Sequence, residues 1–201
     1  MNKPLNAITF FSICLWLGLI ISGFAYVLLY SFSPSPNVNV PGNWANSSQI
    51  RTQNNRPKLL MFLHPYCPCS LASLHALESL LTRLGQNKPE TFLVFFKPGE
   101  DIANWKKGAL WKEASSIPNI HIVIDKYGTE ALRFHANTSG QTLLYSLDGK
   151  LLYNGGLTIS RGHEGSSPGE ERLYQLLIKQ PVDKQFAPVF GCSLFKKRIA
   201  Q

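Results

Sequence analysis

The sequence predicts an α/β domain with a central mixed sheet flanked by helices, preceded by one apolar helix. Three observations predict it. Short apolar runs alternate with helix-patterned segments from Lys58 onward. A hairpin pattern follows near the carboxyl end. An uncharged stretch, "AITFFSICLWLGLIISGFAYVLLY", runs from Ala7 to Tyr30 before any of this.

The elements follow in order. Ala7 to Tyr30 exceeds the roughly 20 apolar residues needed to cross a hydrocarbon core. Lys3 precedes it, and no lysine or arginine follows until Arg51, which favours a cytoplasmic amino terminus. Gly23-Phe24-Ala25 has the small-x-small form of a signal-peptidase site, but the apolar run continues through Leu29, longer than a usual signal core. The reading is an uncleaved transmembrane anchor over residues 1–30, and either alternative exports the domain. Cys14 lies inside the span. Residues 31–57, rich in Ser, Asn and Pro, read as a flexible tether. The folded domain is expected over residues 58–201.

"KLLMFLH" from Lys58 reads as a buried parallel strand. Leu71, Leu74, Leu77, Leu81 and Leu84 form the apolar stripe of a helix that Gly85 ends. Pro68 suits the first helical position, which puts Cys67 at the N-cap and Cys69 in the first turn. Thr91 to Lys97 is a second strand. Asp101 to Ser115 reads as a helix anchored by Trp105 and Trp111. Asn119 to Asp125 is a third strand, and Thr129 to His135 a short helix. Thr142 to Leu147, an Asp148-Gly149 turn and Lys150 to Asn154 read as a hairpin. Ser167, Pro168 and Glu170 have capping-box spacing and open a last helix through Ile178.

Composition narrows the function. The net charge is +8, but no aromatic-interleaved basic stripe is present, so nucleic-acid binding is not expected. The cluster Lys196, Lys197 and Arg198 reads as a solvated end. No P-loop, G-x-G-x-x-G, Ser-His-Asp set or glycosidase carboxylate pair can be singled out.

The chemistry concentrates in "FLHPYCPCSLASL". Cys67 and Cys69 flank Pro68 where a strand gives way to a helix, and a thiol at a helix start has its thiolate favoured by free N–H groups. A buried, inert thiol is the plainer alternative. Cys192, in "FGCSL", is the third exported cysteine. A Cys67–Cys69 disulfide would close a very short, easily reduced ring. That pair is favoured because its thiols are always close, whereas the tail must be docked by Val189, Phe190 and Leu194. His64, three residues before Cys67, is a natural neighbour of the thiolate. Arg161 and His163 in "RGHEGSSPG" could line the site, or belong to an ordinary surface loop. His75, His121 and His135 read as packing or surface residues.

The element order, with cysteines at the first strand-to-helix junction, resembles the thioredoxin superfamily. The added helix and strand at Asp101 to Asp125 resemble the insertion of its TlpA and peroxiredoxin-like branches. The stretches "FLHPYCPCSLASL", "SGQTLLYSLDGKLLYNGGLTISRGHEG" and "PVFGCSL" resemble the membrane-anchored bacterial thioredoxin-like proteins of the RedB family. The resemblance covers essentially the whole chain and implies a thioredoxin-like fold with redox cysteines. C-P-C departs from the superfamily's C-x-x-C. Gln141 stands where a cis-proline is expected, which leaves room for metal. The expected function is thiol–disulfide exchange with Cys67 as nucleophile and Cys69 or Cys192 resolving, on protein thiols or disulfides in the periplasm, anchored in a bacterial inner membrane and without an organic cofactor. The alternatives are Cu(I) binding by Cys67, Cys69 and His64, and thiol peroxidase chemistry at Cys67, which lacks a recognisable Thr/Ser pattern ahead of the cysteine.

Overall fold

The computed structural model describes residues 6–52, 55–97 and 105–195. The chain divides after Ser33 into two units. The first is helix α1, Ala7–Phe32, 26 residues none of which is buried. At 1.5 Å per residue it is about 39 Å long, and it is long and apolar enough to cross a membrane.

The second unit holds a five-stranded sheet. Its strands are β1 (Lys58–Leu63), β2 (Glu90–Lys97), β3 (Ile120–Lys126), β4 (Thr142–Tyr145) and β5 (Leu151–Gly155), in the order β3-β2-β1-β4-β5. The first three are parallel; β4 and β5 run antiparallel to their neighbours. With helices α2 (Ser70–Leu84), α3 (Ala109–Ser116), α4 (Thr129–Arg133) and α5 (Pro168–Leu177) around it, this is the expected thioredoxin-like arrangement. β3 forms the edge beyond β2.

Strand residues alternate between two cores, as the period of two requires. Leu59, Met61, Leu63, Leu93, Phe95 and Leu144 face one. Leu60, Phe62, Phe92, Val94, Leu143 and Tyr145 face the other. β1 carries no exposed residue because it is covered on both sides.

The first core is closed by helices. Leu74, Leu77, Leu81 and Leu84 of α2 are buried as their spacing predicts, and Gly85 ends the helix at φ +55°. Trp105 and Trp111 pack on Phe95 at 5.7 and 5.3 Å. The beginning of the helix expected from Asp101 lies outside the described residues, and α3 itself starts at Ala109. Ser167 caps α5 by accepting the Glu170 N–H at 3.0 Å, with Pro168 following. The Glu170 carboxylate meets Arg83 at 3.5 Å.

The second core is closed differently. The stretch read as a tether is, from Pro34 to Ile50, laid along the domain. Trp44 meets Phe134 and Tyr145 edge-on at 5.0 and 5.4 Å, and Ile50 is buried. The Trp44 N–H donates to Gly149 O at 2.7 Å, and the Leu151 N–H to Gly42 O at 2.8 Å. Ser48 Oγ and the Gln49 N–H donate to the Glu130 carboxylate at 2.7 and 3.0 Å. The second unit thus begins at Pro34 and not at Lys58. Composition missed this because two apolar anchors in an irregular chain leave no period to detect.

Candidate functional site

The site forms where β1 ends. The Cys67 N–H donates to His64 O at 3.0 Å, and the Ser70 N–H to Cys67 O at 3.1 Å. Cys67-Pro68-Cys69-Ser70 is therefore a tight turn, with Pro68 at the position whose fixed φ suits it. The helix starts later than its proline implies. Cys69, not Cys67, occupies the N-cap, and α2 begins at Ser70. The turn uses Pro68 as its corner, so the proline precedes the helix instead of opening it.

Cys67 is only 4% exposed. The backbone N–H of Cys192 donates to its sulfur at 3.4 Å. Burial pushes the Cys67 thiol up, but hydrogen bonds from the Cys192 thiol, the Ser70 hydroxyl and the N–H groups of Cys192 and Cys69 outweigh it. Its pKa lies below the ordinary value. Burial, and then the charge on Cys67, push Cys69 up. Cys192 is pushed up to about 12, by burial and by donating its proton to Cys67. Arg161 opposes the rise at both. Of the three thiols, Cys67 is thus the one shifted toward the thiolate, and Cys69 and Cys192 are shifted toward their protonated, donating form.

Cys192 arrives on an arm of irregular chain. Ser193 bridges Thr138 in antiparallel fashion. The Ser139 N–H donates to Cys192 O at 2.8 Å, and the Leu194 N–H to Asn137 O at 2.8 Å. Leu194 is 2% exposed and anchors the arm in the second core. Arg161 donates to Gly191 O. Ser35 grips the arm from the other side, its N–H on Val189 O at 2.8 Å and its Oγ on Gly191 O at 3.3 Å. Gly191 has no room for a side chain, because a Cβ there would sit 1.9 Å from Ser139 O. Beside the arm opens a cavity of about 450 Å³ whose lining includes Asn137, Thr138 and Arg161.

Gln141 does not present its side chain to the cysteines. Its Oε1 accepts the Asn137 N–H at 3.1 Å and its Nε2 donates to Asn154 at 3.0 Å. Its carbonyl accepts the Phe62 N–H at 2.9 Å. It fixes the 137–140 loop against which the arm docks. The His64 ring stacks on Phe96 at 5.5 Å and accepts the Tyr66 N–H on Nδ1 at 3.2 Å. Burial lowers its pKa, which favours the neutral ring. His163 is exposed, and its described contacts stay within its own loop. Its neighbour Glu164 meets His75 at 2.8 Å, away from the thiols. Among the described residues no three His, Cys, Asp or Glu side chains are arranged to hold a metal ion.

Two residues at the site escaped the sequence reading. Ser70 and Ser139 are each 1% exposed, with their hydroxyls 2.7 Å apart. Ser70 follows the second cysteine directly, and Ser139 opens "SGQTLLY". The available signal was a small polar residue beside each functional motif, too common to single out.

No family model matches the chain, and no curated protein sequence matches it. Among solved structures, an uncharacterized conserved protein from Geobacillus kaustophilus is 20% identical with a TM-score of 0.60, over 85% of this chain and 94% of that one. A hypothetical protein from Sinorhizobium meliloti 1021 is 15% identical with a TM-score of 0.58, over 81% of this chain and 97% of that one. At these identities the likeness is one of fold. The exposed lipoprotein thioredoxin Etrx1 of Streptococcus pneumoniae matches less of the chain, at a TM-score of 0.44 and 18% identity, over 62% of this chain and 85% of that one.

Proposed function

We propose that the protein is an exported, membrane-tethered thiol–disulfide oxidoreductase in which Cys67 is the nucleophile and Cys192 the resolving thiol. The observation that carries this is the contact of Cys192 with the Cys67 sulfur, through its backbone N–H at 3.4 Å and its thiol. The resemblance of "FLHPYCPCSLASL" and "PVFGCSL" to the RedB-type proteins supports the same chemistry. The 26-residue apolar helix supports a single-pass anchor, and Lys3 supports an amino terminus inside and a domain facing the periplasm of a bacterial inner membrane.

The exchange runs in two steps. The Cys67 thiolate attacks one sulfur of a partner protein's disulfide. A Cys67–partner disulfide forms and the partner's other sulfur leaves as thiolate. Cys67 has then lost the negative charge to which Cys192 was donating. The hydrogen bond to Cys67 and the charge on it, which raised Cys192 after burial, vanish with it, and Arg161 remains to favour its thiolate. Cys192 passes its proton to the departing thiolate and attacks the Cys67 sulfur. The Cys67–Cys192 disulfide forms and the partner leaves reduced by two electrons. Run backward, the same steps oxidise a partner dithiol.

Cys67 is too covered for a protein disulfide to reach it while the arm is docked, so partner engagement requires the Gly191–Ser193 segment to lift. Cys69 is the competing resolver, and its turn geometry sets the two apart. Cys67 and Cys69 belong to one rigid turn closed by the Ser70 N–H, whereas Cys192 comes from outside that turn on an irregular segment whose backbone N–H already meets the sulfur. Acid-quenched peptide mapping of the oxidised chain tests the assignment. The Cys69→Ser variant is expected to keep a Cys67–Cys192 disulfide, and Cys192→Ser to accumulate mixed disulfides at Cys67. An oxidised wild type containing only the Cys67–Cys69 bond refutes the resolver, and three free thiols under oxidant refute the redox reading.

A further inference from the structure

We propose that Ser139 is a positioning residue for the Cys67 thiolate, acting through Ser70; the inference rests on Cys67 being the nucleophile. The hydroxyls of Ser70 and Ser139 lie 2.7 Å apart and both residues are 1% exposed, so each must find its partners inside the protein. The His64 N–H donates to Ser139 Oγ at 2.7 Å. A hydroxyl has one hydrogen to give. Ser70 cannot give its own both to Ser139 and to the Cys67 sulfur. With Cys67 charged, the order that satisfies every group is a single chain. The His64 N–H donates to Ser139, the Ser139 hydroxyl to Ser70, and the Ser70 hydroxyl to the thiolate. Ser139 thereby turns the Ser70 hydrogen toward sulfur. Each donor in the chain polarises the next.

The same residue also sets the other donor. The backbone N–H of Ser139 holds Cys192 O at 2.8 Å, on the arm whose N–H meets Cys67. The loop is pinned at the next position, where a Cβ on Gly140 would lie 2.6 Å from Ser73 Oγ of α2. When Cys67 enters a disulfide, Ser70 loses a charged acceptor and its hydrogen is free to turn to Ser139. The chain therefore favours the reduced, charged state of Cys67 over the bonded one.

The test is alkylation of Cys67 against pH, followed by peptide mass spectrometry on the full-length protein in detergent. Wild-type Cys67 is expected to titrate below the ordinary thiol value of about 8.5. Ser70→Ala is expected to raise its pKa by about one unit, as loss of one hydrogen bond to a charged group does. Ser139→Ala raises it by a smaller amount, and Ser139→Thr, which keeps the hydroxyl, restores it. In the Ser70→Ala background, Ser139→Ala is expected to add no further shift, since its effect passes through Ser70. Ser139→Gly serves as a second deletion if the alanine variant folds poorly. A merely structural role would move the unfolding temperature and leave these titrations alone. A low wild-type pKa left unchanged by Ser139 deletion, or shifted equally in both backgrounds, overturns this proposal alone. A wild-type pKa at the ordinary value overturns the nucleophile assignment and this proposal with it.

Discussion

One face of the sheet is closed by α2, α3 and α5; the other is closed by the Pro34–Ile50 strap, the short α4 and the arm that carries Cys192. The first covering is periodic. Its leucines recur at three and four residues, and each turn of helix satisfies its own backbone. The second is irregular and must satisfy its backbone with partners found one at a time, such as Gly149 O for Trp44 and Asn137 O for Leu194. The cysteines sit where the two coverings meet. Cys67 and Cys69 come from the helical side and Cys192 from the irregular side. A site assembled from both can open on one side while the other stays packed, because irregular segments with few anchors undock at lower cost than core helices.

The largest effect is expected from removing the strap. A chain starting at Lys58 loses Trp44, Ile50 and the hydrogen bonds to Glu130, and leaves Phe134 and Tyr145 without their cover. It is expected to lose about 5 kcal/mol or more against a chain starting at Pro34, on the scale of a whole domain's stability. Urea unfolding of the two chains measures it. Equal midpoints would show that the strap is a tether after all.

The strap also shows what a sequence encodes legibly. The α2 stripe, the Ser167 cap and the Asp148-Gly149 turn each rest on a local rule that operates within a few residues. The strap rests on Trp44 meeting Phe134 and Tyr145, ninety or more positions away, and no local pattern announces such a pair. The site divides the same way. The C-P-C turn was legible because two thiols and a proline lie within six residues of the end of β1. The contact of Cys192 with Cys67 and the Ser139–Ser70 pair join segments far apart in sequence. Arg161 and His163 stood in one loop with equal claims, and only the fold put Arg161 on the arm and left His163 outside.

Single anchors compare the two faces more finely. Leu77→Ala, in the middle of the α2 stripe and fully buried, is expected to cost about 3–4 kcal/mol. Trp44→Ala is expected to cost about 2–3 kcal/mol, less than a fully buried tryptophan because its ring stays partly exposed. Only Trp44→Ala should also loosen the irregular face, seen as faster amide exchange in α4. Uniform loosening in both variants would mean that the two coverings unfold as one.

The docked arm gives a third comparison. Gly191→Ala places a methyl group against Ser139 O, where it cannot fit, and the arm should lift. A bulky maleimide is then expected to reach Cys67 about tenfold faster, the effect of roughly 1.4 kcal/mol of lost docking. The Cys67 pKa should rise as Cys192 withdraws its hydrogen bonds. Slower labelling, or none of the change in pH dependence, would show that the arm neither covers nor tunes the thiolate.

The smallest effect belongs to the helical face. His75 of α2 lies between Glu113 of α3 at 2.5 Å and Glu164 of the loop before α5 at 2.8 Å. A neutral imidazole has one N–H and cannot donate to two carboxylates; the imidazolium can. The bonds to Glu113 and then Glu164 accordingly hold the His75 pKa above its ordinary value. A raised folded pKa stabilises the fold fully below the unfolded value of about 6.5. That contribution disappears as pH rises through the folded value. All three groups are more than a third exposed, so solvent screening limits the contribution to a few tenths of a kcal/mol. The difference in unfolding free energy between wild type and His75→Gln is therefore expected to be largest below about pH 6.5 and to close as pH rises through the folded value. A gap for His75 that widens as pH rises, or that does not change with pH, would place the pH sensitivity elsewhere than in this cluster.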